Sequence, residues 1–377
     1  MKNIVICCDG TGNDFGENNS NVVKLFSVLE KNTERQLVYY DPGVGTPSTY
    51  DSFNPITRKL KYAFGAAFGY GLSENIMEAY KFLMKNYEAG DRLYFFGFSR
   101  GAYCIRALAG LIDTCGLLYA NSENLVPEAM RLYHDRNKKT IAAEFKKTFS
   151  RPCKVYFLGP WDTVSSVGWV WNPVTLQATS TNESVDIVRH AIAIDEKRAF
   201  FRTNLWGKMQ PGDYPIQQDA KQVWFAGVHS DVGGSYALEA SGLSNIALEW
   251  MLVEAQEKGL HISDLNKARE MVNHILDPHL KDQNISLQGA WHIAEIWPKI
   301  VRVKKTLADG KSKWVSKIYF NFYRNRPLRS GIKNILHKSV VMRMEGRSDY
   351  RPKNLMKICS DPEAFPRHFS IEEWKRL

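Results

Sequence analysis

The sequence predicts a mostly parallel β-sheet covered by helices on both faces, on three observations. Short apolar runs alternate with stretches of helical spacing over the first two thirds of the 377-residue chain, the pattern left by strand–helix–strand units. The runs carry β-branched and aromatic residues in near-continuous order, as strands buried on both faces do. At 44% hydrophobic and 24% charged residues, the chain can fill a large core.

The predicted strands, in order, are "NIVICC" (3–8), "RQLVYYD" (35–41), "DRLYFFGF" (91–98), "CKVYFLGP" (153–160), "VDIVRHAIAI" (185–194) and "KQVWFAGV" (221–228). Within the fifth, "HAIAI" fits a helix equally well. The clearest helix is 73–88, with Ser73 as its cap, Glu74 at the positive end of the dipole and Gly90 beyond its end. Just before it, "AFGAAFGYGL" (63–72) reads as tight packing or as an apolar loop over a cleft. Residues 242–259 and 263–276 look helical, and a basic hairpin with Asp309-Gly310 at its turn follows over 299–317. Residues 1–240 thus read as the core, and 241–377 as a helical and hairpin region packed on it and not independent.

Composition excludes several classes. No apolar run approaches the ~20 residues of a transmembrane helix. The five apolar residues before Asp9 are too few for a signal-peptide core of about 7 to 15. The expectation is a cytoplasmic protein, with export by a non-Sec route left open. Six cysteines, Cys7 and Cys8 adjacent and the rest scattered, with no CxxC pair, signal neither a zinc site nor a disulfide framework. The formal net charge of +10 fits solubility or contact with an anionic membrane surface. No element reads as a nucleic-acid recognition motif, so no nucleic-acid partner is expected.

The chemistry centres on "YFFGFSRGAY" (94–103). It places Gly97-x-Ser99-x-Gly101 between an apolar strand and the helical pattern "RGAYCIRALAGLIDTCG". In an α/β-hydrolase-like sheet the nucleophile sits on such a turn, and flanking glycines relieve backbone crowding. A serine nucleophile needs a base, and the base needs an orienting acid. His229 ends "KQVWFAGV" and opens "HSDVGGSY", at the carboxyl edge where open α/β sheets keep their sites. Asp162 in "LGPWDTVSSVG" also follows a strand and lies between Ser99 and His229. Asp186 and Asp195 compete as the acid; Asp195, beside Glu196, Lys197 and Arg198, reads as exposed or salt-bridged. His190 reads as a core histidine.

The N-terminal "CCDGTGND" (7–14) has several readings. One is an oxyanion loop at Gly10, Thr11 and Gly12, joined by the N–H of Arg100; another is a plain polar turn. Asp-Gly-Thr after a first strand also resembles haloacid-dehalogenase-type phosphatases. Those need an aspartate two residues earlier, where this chain has Cys7. His229-x-Asp231 lacks an evident third metal ligand, so no metal is expected, and Asp231 reads as a cap or orienter of its turn. Arg100 and Arg106 read as salt-bridged helix residues or as phosphate ligands.

Six segments in order carry a family resemblance: "CDGTGN", "GFSRGAY", "GPWDTVSSVG", "HAIAIDEKRAFF", "QVWFAGVHSDVGGSY" and "HKSVVMRM…YRPKNL". Together they resemble the DUF2235 family of α/β-hydrolase domain proteins, which includes the Tle1-like phospholipases of type VI secretion. The resemblance implies a Ser-Asp-His triad at Ser99, Asp162 and His229, and flanking glycines at Gly97 and Gly101. It also implies phospholipid acyl-ester hydrolysis without a cofactor, and a cognate inhibitor or secretion partner. The leading expectation is a serine esterase of the lipase or phospholipase kind. The alternative is a non-catalytic binding module that docks to anionic membrane or a protein.

Overall fold

In the computed structural model the described residues are 1–10, 16, 18–43, 68–164, 168–169, 172–173, 176–198, 201–207, 218–237, 241–273, 299–306, 312–319, 324–328, 334–359 and 365–377. Among the described residues the central sheet has eight strands. We label them β1 (Asn3–Cys8), β2 (Gln36–Asp41), β3 (Arg92–Phe98), β4 (Val155–Trp161), β5 (Val185–Ala193), β6 (Asp219–Phe225), β7 (Ile335–His337) and β8 (Ser370–Glu372). The order across the sheet is β8-β7-β6-β5-β4-β3-β1-β2, and every pairing is parallel. The predicted strands all form, and "HAIAI" belongs to the sheet, not to a helix.

Strand periodicity sends alternate side chains to opposite faces. Ile4, Ile6 and Cys8 of β1 join one core, with Leu93 and Phe95 of β3. Val5 and Cys7 join the other, with Tyr94, Phe96 and Phe98. The first core is covered by α2 (Phe68–Asn86), α3 (Arg100–Cys115), α4 (Val126–His134) and α5 (Lys139–Phe149). The second is covered by α1 (Asn21–Val28), α7 (Gly242–Glu257) and α8 (Leu265–Asn273). Helices on both faces explain why the strands read as continuous apolar runs.

Helix α2 begins at Phe68, inside the small and aromatic run, so Ser73 lies within it and is not its cap; residues 63–67 lie outside the described residues. The antiparallel hairpin Lys299–Thr306 with Ser312–Tyr319 forms; its Asp309-Gly310 turn lies outside them. The region after 240 does more than cover the core, because it supplies β7 and β8 to the sheet itself. Its tail also closes over α7, whose buried Glu249 pairs with Arg376 at 3.0 Å and accepts from the Trp374 indole at 2.8 Å. Lys221 of β6 bridges Glu254 of α7 and Glu372 of β8, at 2.8 Å each. These pairings satisfy charges on a helix that is buried nearly all round.

Candidate active site

Three strand ends meet at one edge of the sheet. Ser99 follows β3, Asp162 follows β4, and His229 lies a few residues after β6 and opens the short helix α6 (His229–Gly233). Ser99 has φ 58 and ψ −116, a conformation that costs a non-glycine residue about 1 to 3 kcal/mol. Its neighbours make that turn possible. A Cβ on Gly97 would stand 2.5 Å from the Gly101 carbonyl oxygen, and one on Gly101 only 2.1 Å from that of Cys8. Both glycines are therefore steric requirements of the elbow, which α3 follows at once.

The serine hydroxyl donates to His229 Nε2 at 2.9 Å, and His229 Nδ1 donates to Asp162 Oδ2 at 2.5 Å. His229 and Asp162 are both buried. Two aromatic rings hold the imidazole: Phe98 lies 4.6 Å from it and tilted, and Phe201 meets it edge-on at 4.7 Å. A Cβ on Gly233 would collide with the Phe98 ring at 1.9 Å, so that glycine lets α6 approach the ring. Glu196 accepts the His229 backbone N–H at 3.1 Å and is itself forked by Arg198 at 2.9 Å. Asp231 accepts the Val228 N–H at 2.9 Å, so it orients the turn as expected. Both ring nitrogens of His229 are committed to Asp162 and Ser99, and this arrangement gives the His229-x-Asp231 metal reading no support.

The electrostatics suit a base. Burial lowers the His229 pKa below its ordinary 6.5, against the opposing pull of Asp162, so the imidazole is neutral at pH 7. Burial alone would raise the Asp162 carboxyl; the Arg326 guanidinium and His229 outweigh it and hold the group well below the usual carboxylate range. Asp162 also accepts the Ala193 N–H at 2.9 Å, which braces it against the end of β5.

The competitors are accounted for. Asp186 makes a surface pair with Lys154 at 3.7 Å. Asp195 is buried rather than exposed, and accepts from the Gly227 N–H and the Tyr350 hydroxyl at 2.8 Å each. Neither touches His229. His190 is a buried core residue that accepts the Thr163 N–H at 3.3 Å. Arg106 has no carboxylate partner among the described residues: its guanidinium is buried and bonds the carbonyls of Thr179, Asn204 and Leu205.

Of the first-strand turn, the described residues run to Gly10. Gly10 donates its N–H to Asp9 Oδ1 at 2.6 Å, so that donor is committed within its own turn and is not aimed at an oxyanion. Thr11 and Gly12 lie outside the described residues. Asp9 is the organising residue, since its other oxygen accepts from Ser20 at 2.5 Å and Tyr40 at 3.1 Å. Arg100 opens α3. Its side chain lines a small cavity with Cys8, Asp9, Asp41 and Cys104.

Comparison with known proteins now bears on this arrangement. The family model for the catalytic domain of Tle1-like phospholipase effectors of type VI secretion matches residues 2–254. The chain belongs to this family. All three residues of the Ser99–His229–Asp162 chain fall inside the matched segment of the Tle1-like domain. An uncharacterised protein of Saccharomyces cerevisiae, YEL023C, is 38% identical over 220 residues, 53% of this chain but 32% of that protein. The chain thus spans well under half of that relative. Among solved structures, an uncharacterised Pseudomonas aeruginosa protein aligns at TM-score 0.45 and 19% identity, over 74% of this chain and 49% of that one. The Tle1 effector bound to the VgrG spike of the type 6 secretion system aligns at TM-score 0.41 and 16% identity, over 74% and 77%. Both structural likenesses are distant.

Arg326 is the site residue that the sequence gives no sign of. It lies in a Pro- and Arg-rich stretch beyond the matched segment, yet forks Asp162 through Nη1 at 2.6 Å and Nη2 at 2.9 Å.

Proposed function

We propose that this chain is a serine hydrolase that cleaves acyl esters of lipids, a phospholipase, with Ser99 as nucleophile, His229 as base and Asp162 as the orienting acid. The observation that carries the reading is the continuous Ser99–His229–Asp162 hydrogen-bond chain, set on a turn at φ 58.

His229 Nε2 takes the Ser99 proton as the oxygen attacks the ester carbonyl carbon. The tetrahedral oxyanion accepts from the Arg100 backbone N–H at the start of α3. The imidazolium, paired with Asp162, then protonates the leaving alkoxide, and the acyl group stays on Ser99. Water, deprotonated by the same imidazole, attacks this ester; the fatty acid leaves and Ser99 regains its proton. Every proton in these steps has a donor and an acceptor among the named residues and water, so no cofactor enters.

Family membership supports a phospholipid substrate. The net charge of +10 supports peripheral contact with an anionic membrane. Among the described residues no helix is long and apolar enough to cross a membrane. Delivery by a secretion machine, and a cognate inhibitor, follow the family as proposals. The test is fatty-acid release from vesicles of mixed zwitterionic and anionic phospholipid, wild type beside Ser99→Ala. Release by wild type alone supports the reading. Vesicle binding by both proteins with release by neither would mark a binding module and overturn it.

A further inference from the structure

The Arg326 side chain is buried and fully partnered. Its five N–H groups are all used: two go to the Asp162 oxygens, one to the Ala193 carbonyl at 3.0 Å, and Nε and Nη2 share the Phe201 carbonyl at 3.1 and 2.5 Å. Asp162 is saturated in turn. Oδ1 accepts from Arg326 and Ala193, and Oδ2 from Arg326 and His229. The Arg326 backbone is pinned by buried Asn354, which donates to its carbonyl at 3.2 Å and to that of Ile194 at 3.0 Å. Phe201, whose carbonyl Arg326 grips, also sets its ring against His229. One guanidinium therefore fixes the acid and the residue that packs on the base.

This geometry has an electrostatic consequence. A buried carboxylate without a counter-ion stabilises a charged partner. If His229 were the sole partner of Asp162, the pair would favour an imidazolium, which has no free lone pair to take the Ser99 proton. The other charged or titratable groups around the pair are Arg198 and Glu196 on the His229 side, and His190 and Arg106 on the Asp162 side. Arg198 is already balanced by Glu196, and the Arg106 guanidinium bonds the carbonyls of Thr179, Asn204 and Leu205. Among the described residues Arg326 is the cation that touches Asp162.

We propose that Arg326 is a positioning residue of this site: it holds the Asp162 carboxylate in place and shares its charge, so that His229 stays a free base. The inference rests on the serine-hydrolase reading, and it makes the hydrolytic centre depend on a segment outside the family's matched domain.

The experiment uses the full chain as wild type, Arg326→Gln and Arg326→Lys, each checked for fold by circular dichroism and melting. The second-order rate of labelling by a fluorophosphonate is measured across the acid range, and the His229 imidazole is titrated by nitrogen NMR. Arg326→Gln is expected to move the acid limb, and the imidazole titration, upward by about one pH unit. Arg326→Lys keeps the charge but loses the fork. It should leave the limb in place and slow labelling about tenfold or more. Folded variants with wild-type rates, limbs and imidazole titration would overturn the proposal. Should Arg326→Gln not fold, Arg326→Lys decides alone: slowed labelling with an unmoved limb supports the role, and a wild-type rate removes it. If wild type itself is not labelled, the hydrolase reading has failed, and the imidazole titration still decides whether Arg326 sets the charge on His229.

Discussion

The Ser99 turn and the Arg326 loop stand at opposite ends of one hydrogen-bond chain, and they are held in different ways. The turn is fixed by local sterics. A strand ends, a helix begins, and at positions 97 and 101 the close backbone approach leaves no room for a Cβ. The loop is fixed by long-range polar contacts, to carbonyls at positions 193 and 201 and to a carboxylate at 162. Steric constraint fixes where Ser99, the proposed nucleophile, sits. Charge and hydrogen bonding, supplied from far along the chain, hold Asp162 and His229, the proposed acid and base, behind it.

The sharpest break in this contrast is at the nucleophile. Ser99→Ala should reduce esterase turnover by about 10^6-fold while the fold survives. Ser99→Gly should be equally inactive yet melt higher than Ser99→Ala, because glycine alone accepts φ 58 without strain. Equal melting points would mean that the turn stores no strain.

Next comes the acid, where the two regions meet. Asp162→Asn should cost about 10^4-fold in turnover, and about 3 to 5 kcal/mol of stability because Arg326 is left buried without its counter-charge. Asp195→Asn should leave turnover within about threefold, since its carboxylate faces Gly227 and Tyr350. A reversed ranking, measured by kinetics and urea unfolding, would move the acid to Asp195.

A purely steric probe is Gly101→Ala. Its Cβ meets backbone oxygens of Cys8 and Asp9 at 2.1 and 2.5 Å, which cannot move without shifting β1. A loss of about 1 to 3 kcal/mol is expected, with the drop in melting temperature as readout.

A separate readout is the pH dependence of stability. Buried His190 and His337 have pKa values pulled down to about 3, chiefly by burial. The unfolded chain therefore binds more protons between pH 6.5 and 3, and stability falls as pH falls through that window. Asp195, raised to about 6 by burial, works in the opposite sense between pH 3.8 and 6. His134 and His229, also lowered chiefly by burial, add to the histidine effect, and Asp41 and Asp113, raised chiefly by burial, add to that of Asp195; the histidines outnumber the raised carboxyls, so the urea midpoint should drop from pH 7 towards pH 4. A flat midpoint would contradict the burial of these histidines.

Much of this was legible because it is local. The strands announced themselves by apolar runs, Ser99 by its glycines between strand and helix, and His229 and Asp162 by their places after strands. Helix α2 began earlier than its capping signal suggested, at Phe68, and Leu72 ahead of Ser73 packs into the core. Asp195 read as exposed from its charged neighbours, yet Gly227 and Tyr350 bury it. Gly10 was legible as part of a turn, but the commitment of its N–H to Asp9 was not. Arg326 was out of reach for a deeper reason: a side chain that acts across 164 positions leaves no spacing or periodicity behind.

The central claim is that Ser99 is an activated nucleophile with His229 as its base. Covalent labelling of the full chain by a fluorophosphonate tests it without any choice of substrate, wild type beside Ser99→Ala and His229→Ala. The account predicts that wild type alone is labelled, at Ser99. Labelling that persists in folded Ser99→Ala, or that is absent from folded wild type with and without lipid vesicles, would contradict it.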